Sequence, residues 1–153
     1  MRHPELLLEG VPDAKTAHRV LAAQELRGDP AALASRLRAE LHQLVASLAR
    51  RDWEEAATCV PSTADEPSAL VEPDDFSAAM ESFFADHETL VFDHRARLAE
   101  HTQLTPTGEN RWQVVQVLLD PSDENLWCIE GQVDLSDDAN VEGPLIVVTR
   151  IGT

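Results

Sequence analysis

Apolar residues recur with helical spacing in the first half of the chain and alternate with polar residues in the second half. The first clear helix begins at Asp29-Pro30, because Asp29 suits an N-cap and proline is favoured at the first helical position. Its apolar stripe comprises Leu33, Leu37, Leu41, Leu44, Val45 and Leu48. A second short helix is predicted from Trp53 to Cys59, capped by Asp52. Both helices have a local start signal and a defined apolar face.

A third helix is predicted from Pro73, since Asp74 and Asp75 place negative charge in its first turn. Its apolar residues, which we expect in the core, are Phe76, Met80, Phe83 and Phe84. The segment 61–72 before this helix is rich in Pro, Ser, Asp and Glu and predicts a loop. After His87 the pattern becomes extended, with strands expected over 89–94, 101–105 and 144–151, and a hairpin over 111–135. Helices therefore precede strands, which is typical of an α+β domain with helices against one face of a curved antiparallel sheet.

The predicted hairpin offers a candidate interaction surface. If Asp120 pairs with Leu126 across a five-residue turn, the more apolar face packs on the helices and a mixed face points outward. The residues proposed for this outward surface are Trp112, Val114, Gln116, Leu118 and Glu130. Aromatic residues are enriched at interface cores, so a protein partner or a second copy could bind there. Alternatively, a loop or the N-terminal arm covers the face, and a bulge at Gly131 would shift the register and reverse the assignment.

Length and charge restrict the class of protein. A chain of 153 residues fits one domain, which we assign to residues 30–153, preceded by an arm at 1–29 that contains a helix-capable piece, Lys15–Arg27. Residues 1–51 carry eight Lys/Arg and six Asp/Glu, whereas residues 52–153 carry four and twenty-two. Such an acidic body disfavours direct nucleic-acid binding. Neither a signal peptide nor a membrane-spanning run is recognisable, so a cytoplasmic protein is expected.

Candidate chemistry is sparse. The chain lacks the sequence signatures of nucleotide-binding loops, zinc proteases and serine hydrolases, so we expect no cofactor, no metal and no catalytic residue. Oxygen-bearing side chains surround the hairpin turn, where turn formation is favoured over a calcium site: Asp120, Asp123, Glu124 and Asn125. Cys59 and Cys128 lack metal or redox spacing and are expected to be reduced thiols, with one disulfide as the alternative. Should a pocket exist, its candidate residues are Trp53, His94 and Trp127.

Two resemblances extend this picture. The order of helices and strands resembles the nuclear transport factor 2-like, cystatin-like α+β cone. The run from Ala32 to Gly152, with LASRLRAELHQLVASLARRDWEEAA, FFADH and RWQVVQVLLDPSDENLWCIEGQVDL, resembles the C-terminal domain of unknown function attached to bacterial DEAD/DEAH-box RNA helicases. The motor motifs of those helicases are absent, so their ATPase activity is not implied.

The resemblance implies a non-enzymatic accessory or protein-interaction domain, associated with helicase machinery and able to form a homodimer or bind a protein partner. The alternative is a small-molecule-binding or isomerase/cyclase-like enzyme that uses a pocket in the cone. A third interpretation is an RNA-contacting module that uses the basic residues of the first helix, Arg36, Arg38, Arg50 and Arg51.

Overall fold

Helices come first in the chain and strands follow, in a computed structural model that describes residues 14–62, 67–136 and 142–153. Within these residues there are four α-helices: α1 (Ala14–Arg27), α2 (Pro30–Ala49), α3 (Trp53–Thr58) and α4 (Pro73–Asp86). A 3-10 turn, Ala99–His101, leads into β1 (Thr102–Gly108), β2 (Arg111–Leu118), β3 (Trp127–Asp134) and β4 (Val147–Gly152). These strands form an open antiparallel sheet in the order β1-β2-β3-β4. The predicted α+β class is confirmed.

The helix starts agree with their sequence signals. The Asp29 side chain accepts a hydrogen bond from the Ala32 amide at 3.1 Å, and the Asp52 side chain accepts one from the Glu55 amide at 3.1 Å. The whole predicted stripe of α2 is buried. At α4, the Asp75 carboxylate accepts from the Glu72 amide at 2.9 Å, which completes a capping box. Local hydrogen bonds therefore fix where each of these helices begins.

The core lies between the helices and one face of the sheet. Phe76, Met80 and Phe83 of α4 are fully buried, and Phe84 is half-buried against the same core. Helix α1 also packs on this core, because Ala23 is fully buried and the Arg27 guanidinium donates to the Leu135 carbonyl at 2.6 Å. Residues 1–13 of the predicted arm and 63–66 of the predicted loop lie outside the described residues. In the described part of the chain, no helix has the length and apolar character needed to cross a bilayer.

The predicted strand at 89–94 is wrong. Only Val91 pairs with the sheet, through an isolated bridge to Leu119. The chain turns immediately afterwards, because the Asp93 carboxylate accepts from the Arg95 amide at 2.9 Å and also binds the Arg95 guanidinium. A side chain that binds its own backbone two residues further on favours a turn over an extended strand.

The predicted register of the β2–β3 hairpin is wrong by one residue. The last pair is Leu118 with Trp127, so Asp120 does not pair with Leu126. Instead, the Asp120 carboxylate accepts from the amides of Glu124 and Asn125, at 3.1 and 2.9 Å, and the turn is built around it. Side chains alternate between the two faces of a strand, so a shift of one residue moves every side chain of β2 to the opposite face of the sheet. The face of β2 that the sequence pattern placed outward therefore packs on the core.

Close packing between β3 and β4 occurs at Gly131. The β3–β4 register shifts between Glu130 and Gly131, which leaves Thr149 as the extra residue on β4. The predicted bulge thus lies beside Gly131, although the β2–β3 pairing runs through it without interruption. A Cβ at Gly131 would lie 2.7 Å from Ile146 Cγ2 and 2.9 Å from the Val147 carbonyl oxygen. Only glycine allows the two strands to approach this closely.

Candidate functional site

The residues predicted to form the interaction surface divide between the two faces of the sheet. Val114, Gln116 and Leu118 are fully buried on the face that meets the helices, so their predicted outward position is wrong. Trp112 is half-buried and packs against the same core. Glu130 lies on the outer face, as predicted, and forms an ion pair with Arg150. Whether the outer face binds a partner remains a prediction.

Gln116 has a structural role. The Thr102 hydroxyl donates to its Oε1, and its Nε2 donates to the Val117 carbonyl at 3.2 Å. Both ends of the buried amide are therefore hydrogen-bonded, which offsets the cost of removing it from water. This hydrogen-bonded amide ties β1 to β2 from inside the core.

The outer face of the sheet is polar with an apolar centre. Its half-buried apolar residues include Val115 and Val117 of β2, Cys128 of β3 and Val147 of β4. Exposed glutamines surround them, at positions 103, 113 and 132. The sequence pattern had placed the β3 residues on this face correctly. It had placed Val115 and Val117 of β2 on the opposite face, because the error in register concerned β2 alone.

The charges on this outer face are balanced. Glu130 pairs with Arg150 across β3 and β4, and Asp134 pairs with Arg111 across β3 and β2 at 3.5 Å. The whole chain, in contrast, has a net charge of −16. The outer face is therefore a locally neutral surface on a strongly acidic protein.

The thiol of Cys128 is poorly suited to act as a nucleophile at this face. Burial and the nearby Glu130 carboxylate raise its pKa, and Arg150 offsets only part of this effect. Because the thiolate is the reactive form, a raised pKa leaves the thiol protonated at neutral pH. Cys59 and Cys128 are both free thiols, as predicted, and the alternative disulfide is not formed; Cys59 is buried, whereas Cys128 is half-buried.

Two of the three predicted pocket residues belong to one aromatic cluster. Trp127 meets Phe83 edge-on, with ring centroids 5.5 Å apart, and Trp53 meets Phe84 at 6.4 Å. Phe83 and Phe84 are themselves in edge contact at 5.3 Å. This cluster fills the space between α3, α4 and β3. His94, in contrast, is exposed in the turn after Val91 and does not join the cluster.

Asp120 is the most enclosed carboxylate near a cavity. Burial raises its pKa, but hydrogen bonds from the Asn125 and Glu124 amides and the nearby His87 lower it more, so the pKa lies below its usual value. The distance from His87 Nε2 to Asp120 Oδ2 is 3.9 Å, which is too long for a hydrogen bond. A cavity of about 220 Å³ lies beside Asp120, between Val91, Leu119 and Asn125. The turn already uses the carboxylate as an acceptor, as turn formation predicts, so it is poorly suited to act as a base.

An open groove lies at one end of the sheet. It has a volume of about 790 Å³ and is lined by Trp112, Gln113, Gln132 and the Arg111–Asp134 pair, among others. Its polar groups include two amides, the Thr107 hydroxyl and one ion pair, and none of the predicted pocket residues lines it. Among residues 14–62, 67–136 and 142–153, no group of three His, Cys, Asp or Glu side chains is arranged to hold a metal ion.

Three of the four arginines in and just after α2 already have partners. Arg36 pairs with Glu40 at 2.9 Å, and Arg50 pairs with Glu55 at 2.5 Å. Arg51 donates to the Glu88 carbonyl at 3.0 Å and lies 4.0 Å above the Phe84 ring. Because a carboxylate, a carbonyl or an aromatic ring already holds each of these three guanidinium groups, they offer little of the free positive surface that an RNA backbone requires.

Comparison with protein families identifies the family of the chain. The family model described as Domain of unknown function (DUF3516) matches residues 6–151, which is nearly the whole chain. No curated protein matches the chain significantly.

Proposed function

This chain belongs to the family described as Domain of unknown function (DUF3516), and we propose that it is a non-catalytic protein-interaction domain. In this proposal it self-associates through the outer face of its sheet. The observation that supports this proposal is the balanced charge of the outer face on a chain with a net charge of −16. Two copies of so acidic a protein repel each other, and a neutral contact surface minimises that repulsion at short range.

The apolar centre of the face supports the same proposal. Val115, Val117 and Cys128 lie side by side on neighbouring strands and are covered by no helix in the described structure. A two-fold interface brings the same surface patch of both copies together, so the two apolar centres would be in contact. In the same arrangement, Glu130 of one copy and Arg150 of the other can exchange partners. The flanking glutamines supply neutral hydrogen-bonding groups at the rim.

Sedimentation velocity of the full chain over a concentration series tests the proposal. We expect wild-type protein to dimerise, and the double variant Val115→Lys, Val117→Lys to remain a monomer, because it places two unpaired charges at the centre of the contact. The matched control is Leu21→Lys, an exposed leucine on the helical side, 59% accessible, which should dimerise like the wild type. A circular-dichroism spectrum verifies that each variant is folded.

Two results would contradict the proposed function. One is a wild-type chain that stays monomeric up to about 0.5 mM, where a dissociation constant of ~100 μM would already give mostly dimer. The other is a dimer that survives the lysine pair at Val115 and Val117, since the contact would then lie elsewhere.

We further propose that the domain acts beside RNA helicases and has the nuclear transport factor 2-like cone architecture. Both proposals rest on the sequence resemblances from Ala32 to Gly152. The helicase proposal is tested by co-purification with a purified DEAD-box motor lacking its own C-terminal domain, with the Val115/Val117 lysine variant as the negative control. Equal retention of both forms on the motor would exclude the outer face as the contact.

A second candidate function is small-molecule binding in the sheet-end groove. The groove volume of about 790 Å³ falls within the range of roughly 300 to 1,000 Å³ that is typical of ligand sites. A fragment screen monitored by amide chemical shifts tests it, with Gln113 and Gln132 as the reporters. Fragments whose shifts avoid this end of the sheet would argue against the groove.

A further inference from the structure

The small cavity beside the β2–β3 turn has a lining that the turn itself does not explain. It lies between the segment 91–101 and the turn, and its volume is about 220 Å³. The two sides are joined where the Val91 amide donates to the Leu119 carbonyl at 2.9 Å. Sites for drug-sized ligands have volumes of roughly 300 to 1,000 Å³, so this cavity suits a smaller metabolite.

Part of the lining is apolar. Val91, Leu98 and Leu119 all line the cavity. Leu98 is 45% accessible, which makes it one of the few large apolar side chains that are exposed in the described part of the chain. An apolar group of a ligand that covered Leu98 would remove apolar surface from water, which favours binding.

Arg95 brings a fixed guanidinium group to the same cavity. Its Nε and Nη2 donate to the Asp93 carboxylate, with distances of 3.2 and 2.9 Å to Oδ2, so the group is held in one orientation. Its Nη1 donates to none of the residues that the structure describes. Two N–H donors of an oriented guanidinium therefore remain for an anionic group of a ligand.

His101 adds a second polar group that lacks a partner. It lines the cavity, and its side chain is only 19% exposed. The distance from its Nε2 to Glu100 Oε1 is 3.9 Å, which is too long for a hydrogen bond. Neither ring nitrogen has a hydrogen bond among residues 14–62, 67–136 and 142–153. Because polar groups with so little exposure are usually hydrogen-bonded, a ligand that supplies the partner would account for this imidazole.

Asp123 places a carboxylate on the other side of the cavity, in the β2–β3 turn. Its Oδ1 accepts from Asn125 Nδ2 at 3.0 Å, which positions the group, and its Oδ2 accepts from none of the described residues. Arg95 pairs with Asp93 and not with Asp123. The cavity therefore combines an unshared anionic oxygen, unshared cationic donors and an apolar wall.

We propose that this cavity binds a free α-amino acid with an aliphatic side chain. The α-carboxylate would accept from Arg95 Nη1 and the His101 imidazole, and the α-ammonium would donate to Asp123 Oδ2. The aliphatic side chain would cover Leu98 and Leu119. A simple anion or a simple amine would leave one of the two charged groups unused. A peptide carries its two terminal charges at opposite ends, so only a free amino acid offers both from one carbon atom.

Titration of the full-length, isotope-labelled protein with L-leucine tests the site by nuclear magnetic resonance. The signals to follow are the Asn125 amide, the Arg95 Nε and the His101 ring. Isocaproate, which is leucine without its ammonium group, and isoamylamine, which is leucine without its carboxylate, are titrated in parallel. We expect saturable shifts with leucine and about tenfold weaker binding of each analogue, because each lacks one charge-assisted contact.

Two variants assign the two ends of the ligand. Asp123→Asn removes the charge and keeps a residue type that tolerates the φ of 59° at this position. It should weaken leucine binding by about tenfold and leave isocaproate binding unchanged. Arg95→Gln should weaken leucine and isocaproate binding and leave isoamylamine binding unchanged. The matched control is Asp134→Asn, an exposed carboxylate at the other end of β3, which should bind all three compounds like the wild type.

The contradicting results are equally specific. One is the absence of saturable shifts at about 20 mM leucine, where a dissociation constant of ~1 mM would already give nearly full occupancy. Another is an analogue that binds as tightly as leucine, since recognition would then not require both charges. The proposal is also overturned if Asp123→Asn and Arg95→Gln both bind leucine like the wild type, because the ligand would then lie elsewhere.

Discussion

Replacing Gly131 with alanine is the sharpest test of how β3 and β4 pack. The new Cβ would lie 2.7 Å from Ile146 Cγ2 and 2.9 Å from the Val147 carbonyl oxygen. A methyl group can move by rotation of its side chain, but the carbonyl belongs to the backbone of the neighbouring strand. The two strands must therefore separate by several tenths of an ångström, and the β3–β4 hydrogen bonds must lengthen with them.

Two opposing terms set the size of this effect. Forcing a methyl group into a packed site costs about 1 to 3 kcal/mol. Alanine lowers the conformational entropy of the unfolded chain relative to glycine, which stabilises the folded state by about 0.4 to 1 kcal/mol. That gain is available here because Gly131 does not have a positive φ. The steric term is larger, so we expect Gly131→Ala to lower the free energy of unfolding by about 1 to 2 kcal/mol.

Urea denaturation followed by circular dichroism measures the loss, and Gly108→Ala is the matched control. A Cβ at Gly108 would find its nearest neighbour, Arg111 Cβ, at 3.7 Å, which is an ordinary contact. Gly108→Ala should therefore be neutral or gain up to about 1 kcal/mol. If Gly131→Ala proved as stable as the wild type while the control behaved as expected, the close approach of β4 to Gly131 would be refuted.

Three further changes test the aromatic cluster and two carboxyl groups. Trp127→Ala should lower the free energy of unfolding by about 3 kcal/mol, as large-to-small changes in packed clusters do; a chemical denaturation curve showing a loss below about 1 kcal/mol would mean that Trp127 hardly packs on Phe83. Burial raises the pKa of Glu40 above its usual 4.5, although the Leu145 amide and Arg36 oppose this, so native-state stability falls as pH rises through and above that value. In thermal melts, Glu40→Gln should lack this part of the fall, and an unchanged pH profile would contradict the assignment. The pKa of Asp120 lies below its usual 3.8, so its contribution is present above that pH and is lost as pH falls below it; Asp120→Asn should reduce this acid sensitivity, and equal loss in both proteins would count against it.

The helices could be predicted from sequence because their signals are local. Asp29 and Asp52 cap the helices that follow them, and each bonds to an amide three residues away. The apolar stripe of α2 is likewise set by spacing within one helix. No distant contact was needed to place these features, so the sequence alone was sufficient.

The sheet faces depended on an interaction that alternation does not reveal. On β3, apolar and polar residues alternate clearly, and Ile129 and Val133 are buried as predicted. On β2, Val114 and Val115 give both faces similar apolar character, so its orientation depended entirely on the hairpin register. The turn around Asp120 sets that register. The prediction assumed a shorter loop instead, closed by a pair between Asp120 and Leu126.

The candidate interface could be predicted only in part. Glu130 was placed on the outer face because apolar and polar residues alternate along β3. Its partner Arg150 lies 20 positions further along the chain, and only the pairing of β3 with β4 brings the two side chains together. The charge balance of the outer face is therefore a property of the folded chain.

The contact between Glu40 and the start of β4 has a consequence for the order of folding. The Glu40 carboxylate accepts from the amides of Leu145 and Ile146, at 2.8 and 3.3 Å, although these residues lie 105 and 106 positions away. Each strand of the sheet, in contrast, pairs with the next strand in the chain. Closing a long loop carries a greater entropic cost than closing a short one, and distant contacts slow folding. The meander can therefore form early as a local unit, whereas docking of α2 through Glu40 closes a loop of 105 positions and follows later.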